Sequence, residues 1–242
     1  MLNIVYCLYN LQEELRDIHI KNWESYPEEL RKQINLILVD DCSCKPFTID
    51  IDIPINLTVA RITTDMGYNI AGAKNLGLYL ATNDWCFSSD IDHVLSAKEC
   101  QKCIDLIKYR NCLYYFDRWF PNGEHYHKKH DNTYIIHRED FWGIGGYDEN
   151  FTPHYGYEDL WLKLLMEDQG IKFINTEIKV ILYNIPKQEK FLSYPIEKRK
   201  IDRKINHKVI LHKIEEYKNN QYILPRPLRF KWEIVQQIKR SN

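Results

Sequence analysis

The chain reads as an α/β protein built on a mostly parallel central sheet flanked by helices, with a basic helical extension at its C-terminal end. Three observations predict this. Short apolar runs at 3–9, 35–39, 55–62 and 85–88 alternate with helical patterns, as strands joined by right-handed crossovers do. The run Asn35-Leu36-Ile37-Leu38-Val39 is almost continuously apolar, which suits a strand buried on both faces. Charge is unevenly divided: residues 1–186 hold 18 Lys+Arg against 28 Asp+Glu, and residues 187–242 hold 15 against 6. That asymmetry marks the tail as a separate unit. The expected organisation is one domain over 1–186, in parts 1–95 and 96–186, and an extension over 187–242.

The elements follow in order. Residues 3–9 are β-branched and aromatic, a first strand. Residues 12–23 carry charges with apolar spacing, a helix. The strand at 35–39 ends in Asp40-Asp41, and 55–62 is the next strand. Ala73, Leu76, Gly77 and Leu80 fall at helical spacing and predict a helix over 70–81. The strand at 85–88 runs into Ser89-Asp90-Ile91-Asp92. A helix over 97–109 precedes two strand-like runs, 112–116 and 133–137, which flank a turn-rich loop at 118–123. Residues 141–149 are rich in glycine and aromatics. A helix over 158–168 turns Leu160, Trp161, Leu164 and Leu165 inward and stops at Gly170. Strands are expected at 171–175 and 179–183. From Pro195 the pattern is basic helix, broken at Pro225 and Pro227.

Composition narrows the function classes. The 242 residues are 44% hydrophobic and 28% charged, ordinary for a soluble globular chain. A net charge of −1 gives no overall field to draw in nucleic acid. The 17 Tyr, 6 Trp and 9 Phe suggest surfaces that stack on bases or sugars. No basic start followed by an apolar run opens the sequence, and no apolar stretch is long enough to span a bilayer. Seven cysteines, mostly inside predicted elements, read as reduced thiols. A cytoplasmic location is the expectation. Cys100-x-x-Cys103 has no second pair and falls short of the four ligands of a structural zinc site.

The chemistry-bearing residues gather at strand ends, where ligands of such sheets bind. Asp90 and Asp92 lie two apart and share a side, so they can hold Mg²⁺ or Mn²⁺ against phosphate oxygens, or form a solvated loop after the strand. Asp40 and Asp41 can accept from a base N–H and a ribose hydroxyl, or cap the next turn. Tyr9 can stack on a base, or be a half-buried strand residue. Residues 69–75 start a helix with Gly and Ala that allow close backbone approach. Lys74 there can reach a diphosphate, or be a surface lysine. Glu158 and Asp159 sit in a first helical turn, whose dipole keeps a carboxylate ionised as a general base must be. Acids at that position are also common without any catalytic role. His125, His127, His130 and Asp131 form a local cluster that can bind metal or line an acceptor site, and that reads first as a polar exposed loop.

Taken in order, Leu8-Tyr9-Asn10, Val39-Asp40-Asp41-Cys42-Ser43, Gly72-Ala73-Lys74-Asn75-Leu76-Gly77, Ser89-Asp90-Ile91-Asp92, Gly145-Gly146-Tyr147-Asp148-Glu149 and Gly156-Tyr157-Glu158-Asp159 resemble a GT-A glycosyltransferase of the family 2 type, over roughly residues 1–185. Residues 142–170 are also similar to the C-terminal part of β-1,4-galactosyltransferases and polypeptide GalNAc-transferases. The resemblance implies a UDP-sugar donor, a Mn²⁺ or Mg²⁺ ion and a glycan or glycoconjugate acceptor. It implies that Tyr9, Asp40, Asp41, Lys74, Asn75 and Asp90 hold the nucleotide-sugar, with Asp90 and Asp92 at the metal. By the same match Asp159 is the general base, Glu158 helps hold the acceptor, and transfer inverts the anomeric centre. Trp119, Trp142, Gly145, Gly146 and Tyr157 are then the acceptor-side candidates.

The sequence departs from that pattern where relatives often place a third metal ligand, a histidine. Here 182–188 has none, and Asn184 or His207 is the candidate replacement. Lys74 also stands where arginine is usual. In the tail, Phe230, Ile234, Val235 and Ile238 form an apolar stripe on an expected helix, bordered by Lys231, Lys239 and Arg240. Such a helix suits packing on the domain, self-association, or docking on an anionic membrane. Two rival readings share the strand-end acids. A nucleotidyltransferase would need a basic glycine-rich loop after the first strand, where this chain has Gln12-Glu13-Glu14. A non-catalytic sugar- or nucleotide-binding module would have no use for Glu158-Asp159.

Overall fold

A computed structural model describes residues 1–50, 52–183, 194–224 and 226–240. Its strands are β1 (Leu2–Leu8), β2 (Ile34–Asp41), β3 (Asn56–Ile62), β4 (Trp85–Asp90), β5 (His93–Val94), β6 (Cys112–Trp119), β7 (His125–Tyr126), β8 (Tyr134–His137), β9 (Lys172–Leu182) and β10 (Trp232–Ile238). The helices are α1 (Glu13–Glu24), α2 (Glu28–Arg31), α3 (Ile70–Leu80), α4 (Ala97–Leu106), α5 (Arg138–Gly143), α6 (Glu158–Asp168) and α7 (Ile196–Lys218). One sheet runs in the order β10-β3-β2-β1-β4-β8-β6-β9-β5, with β7 beside β6. The β3-β2-β1-β4 half is parallel, and β8 then enters antiparallel to β4 and to β6.

Every residue of β1 is buried, because both faces of the sheet are covered. Alternation sends Val5 and Cys7 into one core and Ile4, Tyr6 and Leu8 into the other. The first core receives Leu76 of α3, Phe141 of α5, Trp161 and Leu165 of α6 and Ile210 of α7. The second receives Trp23 of α1, Leu30 of α2 and Cys100 and Cys103 of α4, so this cysteine pair packs as apolar side chains. Gly77 lets α3 close onto the sheet: a Cβ there would sit 2.2 Å from Val5 Cγ1.

Four expectations are corrected. The β6 strand extends through Asp117-Arg118-Trp119, which read as loop, because β7 and β9 pair with it. Residues 172–182 make one strand rather than two, with an irregularity opposite Tyr115–Asp117. In α6 it is Leu162, not Leu160, that is buried beside Trp161, and Leu160 is exposed. The expected C-terminal helix is β10, antiparallel to β3 with Ile234 opposite Ala60. Its apolar stripe is largely taken up inside the molecule: Phe230 packs on the first core, and Val235 and Ile238 on the second.

Candidate active site at the carboxyl ends of the parallel strands

Because β1, β2 and β4 lie side by side and parallel, their C-terminal ends deliver Tyr9, Asp41 and Asp90 to one edge. Together with Asp92, the first turn of α6 and residues of α7, they line a cavity of about 720 Å³.

The adjacent acids Asp40 and Asp41 part company, as neighbours on a strand must. Asp40 is fully buried, with Arg61 Nη1 at 2.6 Å and the N–H groups of Ser43 and Phe47 donating at 2.9 and 3.1 Å. It organises the loop after β2 and does not line the cavity. Asp41 does line it and accepts a hydrogen bond from Asn69 Nδ2 at 3.2 Å. Burial, reinforced by the charges of Asp40 and Asp65, pushes its pKa up to about 7.

Asp90 lies between two cationic or potentially cationic groups, with Lys74 Nζ 3.3 Å from Oδ1 and His130 Nε2 3.4 Å from Oδ2. Lys74 is wholly buried, donates to Asn132 O at 2.8 Å and is not among the cavity-lining residues, so its direct neighbour is Asp90 rather than the cavity. His93 Nδ1 lies 2.6 Å from Asp92 Oδ1, and the His93 ring stacks on His130 with centroids 4.8 Å apart. Burial lowers the His130 pKa to about 4, which leaves a neutral imidazole beside Asp90.

The second acid pair opens α6. Gly156 and Tyr157 both take positive φ, 94° and 75°, and this turn aims the first helical residues at the cavity. Glu158 is buried and its Oε2 has no hydrogen-bond partner. Burial, with the charge of Asp159 next, pushes the Glu158 pKa up to about 8. Burial raises Asp159 as well, opposed by the N–H of Leu160, which donates to its Oδ1 at 2.8 Å. At neutral pH Glu158 therefore keeps its proton, and Asp159 is the less buried of the two.

The tail supplies the clamp for this turn. Asn206 of α7 donates through Nδ2 to the carbonyls of Phe151, His154 and Gly156 at 3.1, 2.9 and 2.9 Å. Asp202 accepts from the N–H of Tyr155 at 3.2 Å and lies 3.0 Å from His154 Nδ1. Lys213 pairs with Asp148 at 2.5 Å. Lys198, Arg199 and Arg203 then reach the cavity, so part of the basic charge of the extension stands opposite the strand-end acids.

The remaining candidates lie elsewhere. Asn75 is buried, bonded to both the N–H and the carbonyl of Tyr147 and to Glu149. Gly145 and Gly146 take φ of 85° and 71° in the turn that Asn75 secures, beside Leu224 and Asn75, and do not line the cavity. Trp119 packs under Lys179, whose Nζ is 4.0 Å from its ring, and next to His125. Trp142 lines a different cavity. His207 sits with its ring 5.6 Å from that of Tyr157, outside the cavity lining, and Asn184 lies outside the described residues. Of the histidine cluster, only His130 enters the cavity; His125 and His127 pack on each other with centroids 4.6 Å apart. The sequence alone did not single out Tyr155, Arg199 or Arg203 as lining residues.

Among the described residues no group of three or more His, Cys, Asp or Glu is arranged to hold a metal ion. The donors still suit a divalent cation that takes some of its ligands from a substrate. Asp90 Oδ1 is buried without a hydrogen bond, Asp92 stands beside it on the same cavity, and both offer hard oxygens. No helix of the described residues is long and apolar enough to cross a membrane.

Comparison with known proteins agrees with this architecture. The structure of S. aureus TarS 1-349 in complex with UDP-GlcNAc superposes with a TM-score of 0.62 at 13% identity, covering 78% of this chain and 63% of that one. The mannosyltransferase PcManGT from Pyrobaculum calidifontis, in complex with GDP-Man and Mn²⁺, gives 0.56 at 16% identity over 77% of this chain and 57% of that one. The fold is therefore that of the GT-A glycosyltransferases, a mixed α/β sheet flanked by helices. In sequence, an uncharacterized glycosyltransferase of Haemophilus influenzae is 27% identical over 108 residues, 45% of this chain and 35% of that protein. The chain spans about a third of that relative and about three-fifths of the two structures. The sequence model of glycosyl transferase family 2 matches residues 13–164, and the chain belongs to that family.

Proposed function

We propose that the protein transfers a sugar from a UDP-sugar to a hydroxyl of a glycan or glycoconjugate, with inversion and with Asp159 as general base. One observation carries this reading: an acid pair at the start of α6, one member buried and the other partly exposed, lines the same cavity as Asp90 and Asp92. Family membership supports the reaction class. The Asp159 assignment also draws on the resemblance of 142–170 to galactosyl- and GalNAc-transferases.

The donor enters with its base against Tyr9 and its uracil N–H or ribose hydroxyl donating to Asp41. Its diphosphate lies between the strand-end acids and the cations Lys198, Arg199 and Arg203. Asp90 and Asp92 would hold a Mn²⁺ or Mg²⁺ ion, whose chemistry is to neutralise charge on the departing diphosphate. Lys74 and His130 keep Asp90 in place. Protonated Glu158 donates a hydrogen bond to the acceptor sugar. Asp159 takes the proton of the acceptor hydroxyl as its oxygen bonds the anomeric carbon. The bond from that carbon to the diphosphate breaks on the opposite side, its electron pair leaves with the nucleotide, and the configuration inverts.

The test is release of nucleoside diphosphate from a UDP-sugar, with water or a glycan as acceptor, by the wild type and by Asp159→Asn. The reading requires the variant to lose turnover while donor affinity stays within about twofold of wild type. Full activity in the variant removes Asp159 from the role of base.

A further inference from the structure

A second cavity of about 960 Å³ is lined by residues 226–232, which lead into β10, together with Thr64, Tyr79 of α3, Arg138 and Trp142. Gly72 lets this segment approach α3 closely, since a Cβ there would sit 2.5 Å from Phe230 Cε1. Four cations line this cavity: Arg138, Arg226, Arg229 and Lys231. No acid lines it. Arg229 has only a distant partner, Glu149 at 3.8 Å, and no ion pair among the described residues engages Arg138, Arg226 or Lys231. The buried Nε of Arg138 has no hydrogen bond. Tyr79, Trp142 and Trp232 line the same cavity, and Tyr79 is 53% exposed.

Guanidinium groups without acids match planar oxyanions, phosphate or carboxylate, in a two-pronged geometry. The exposed ring of Tyr79 beside them, with the partly buried Trp142 and Trp232, matches the apolar face of a pyranose. Thr64 lines this cavity, and the next residue, Asp65, lines the catalytic one. A chain-like ligand seated here can therefore run over one loop into the reacting centre. A concave site is also poorly shaped for a flat lipid surface. We propose that this cavity is a distal subsite for an anionic saccharide chain, bearing phosphate or carboxylate, whose end is presented to the catalytic cavity. The inference rests on the glycosyl-transfer reading for what happens at that end.

The experiment is calorimetric titration of the full chain with phosphomannan oligosaccharide, alginate oligosaccharide and uncharged dextran oligosaccharide. The first two distinguish a phosphate from a carboxylate source. The proposal expects at least one of them to bind better than dextran, and its affinity to fall about tenfold in the double variant Arg226→Ala/Lys231→Ala. Both positions are exposed, so the fold is preserved, and donor turnover in the variant should match wild type. Binding of neither charged saccharide, or binding indifferent to the double variant, overturns it. So does a larger loss for phosphatidylglycerol vesicles or a single-stranded oligonucleotide, which would assign the patch to membrane or nucleic acid. Donor turnover is scored separately: its absence in the wild type counts against glycosyl transfer, whereas lost saccharide binding alone counts against this subsite.

Discussion

Asp40-Asp41 and Glu158-Asp159 are two pairs of adjacent acids at the rim of one cavity, and they are handled in opposite ways. The buried member of the first pair, Asp40, meets a guanidinium at 2.6 Å and two backbone N–H groups. The buried member of the second, Glu158, meets no cation and leaves one oxygen unpaired. A buried carboxylate with a full set of partners is a structural strut. One without them holds its proton to about pH 8 and is available to a ligand. Asp40 is thereby withdrawn from the cavity, whereas Asp41, Glu158 and Asp159 all line it. Burial and partners, not the identity of the residues, separate architecture from chemistry here.

Four substitutions probe that contrast. Asp159→Asn should have the largest effect, a loss of turnover on the order of 10²–10⁴-fold with little change in unfolding midpoint, measured by diphosphate release beside a urea melt. Arg61→Ala should strike the other pair. It strands Asp40 in the core and should lower stability by about 3–5 kcal/mol in the same melt. A cost under about 1 kcal/mol would mean that Asp40 is not the strut described. Asn206→Ala removes the amide that holds the turn before Glu158, taking a donor from the carbonyls of His154 and Gly156 and leaving that of Phe151 with the His154 N–H alone. It should cost roughly 1–3 kcal/mol and also reduce turnover, a combination that separates it from a surface residue of α7.

The smallest effect is a pH dependence. The Glu158 pKa rises from 4.5 unfolded to about 8 folded, so folding disfavours its ionised form. Its favourable contribution is complete below about pH 4.5 and is lost as pH climbs toward 8. Glu158→Gln should therefore melt at nearly the wild-type temperature at pH 5, and higher than wild type at pH 8.5 by roughly 5 °C. An unchanged difference across that range would show that Glu158 titrates normally.

The parallel half of the fold was legible because its strands are apolar runs that end in acids, a pattern local to each strand. The fate of Asp40 was not, since its partner Arg61 lies 21 residues away on β3. Lys74 read as a residue that reaches a ligand, whereas it is buried against Asp90; a lysine so placed is uncommon and depends on partners that sequence does not display. Trp232–Ile238 carries its apolar residues at helical spacing, and only the open edge of β3 makes it a strand. Glycines 145 and 146 read as acceptor contacts, and the structure gives them positive φ in a turn secured by Asn75. The basic charge of 187–242 was visible from the start. That three of its cations face an acidic cavity, while Asn206 and Asp202 hold the turn before α6, required the tertiary fold.

The central claim is that the cavity edged by Asp41, Asp90 and Asp159 holds a nucleotide-sugar. The direct measurement is the melting temperature of the wild type and of Asp41→Asn with UDP-GlcNAc, UDP-galactose and GDP-mannose, each with and without Mn²⁺. A ligand bound only by the folded chain raises that temperature by mass action. The account predicts stabilisation by a UDP-sugar, strengthened by Mn²⁺ and reduced in Asp41→Asn. No stabilisation by any of the three donors, or a shift that Asp41→Asn leaves intact, would contradict it.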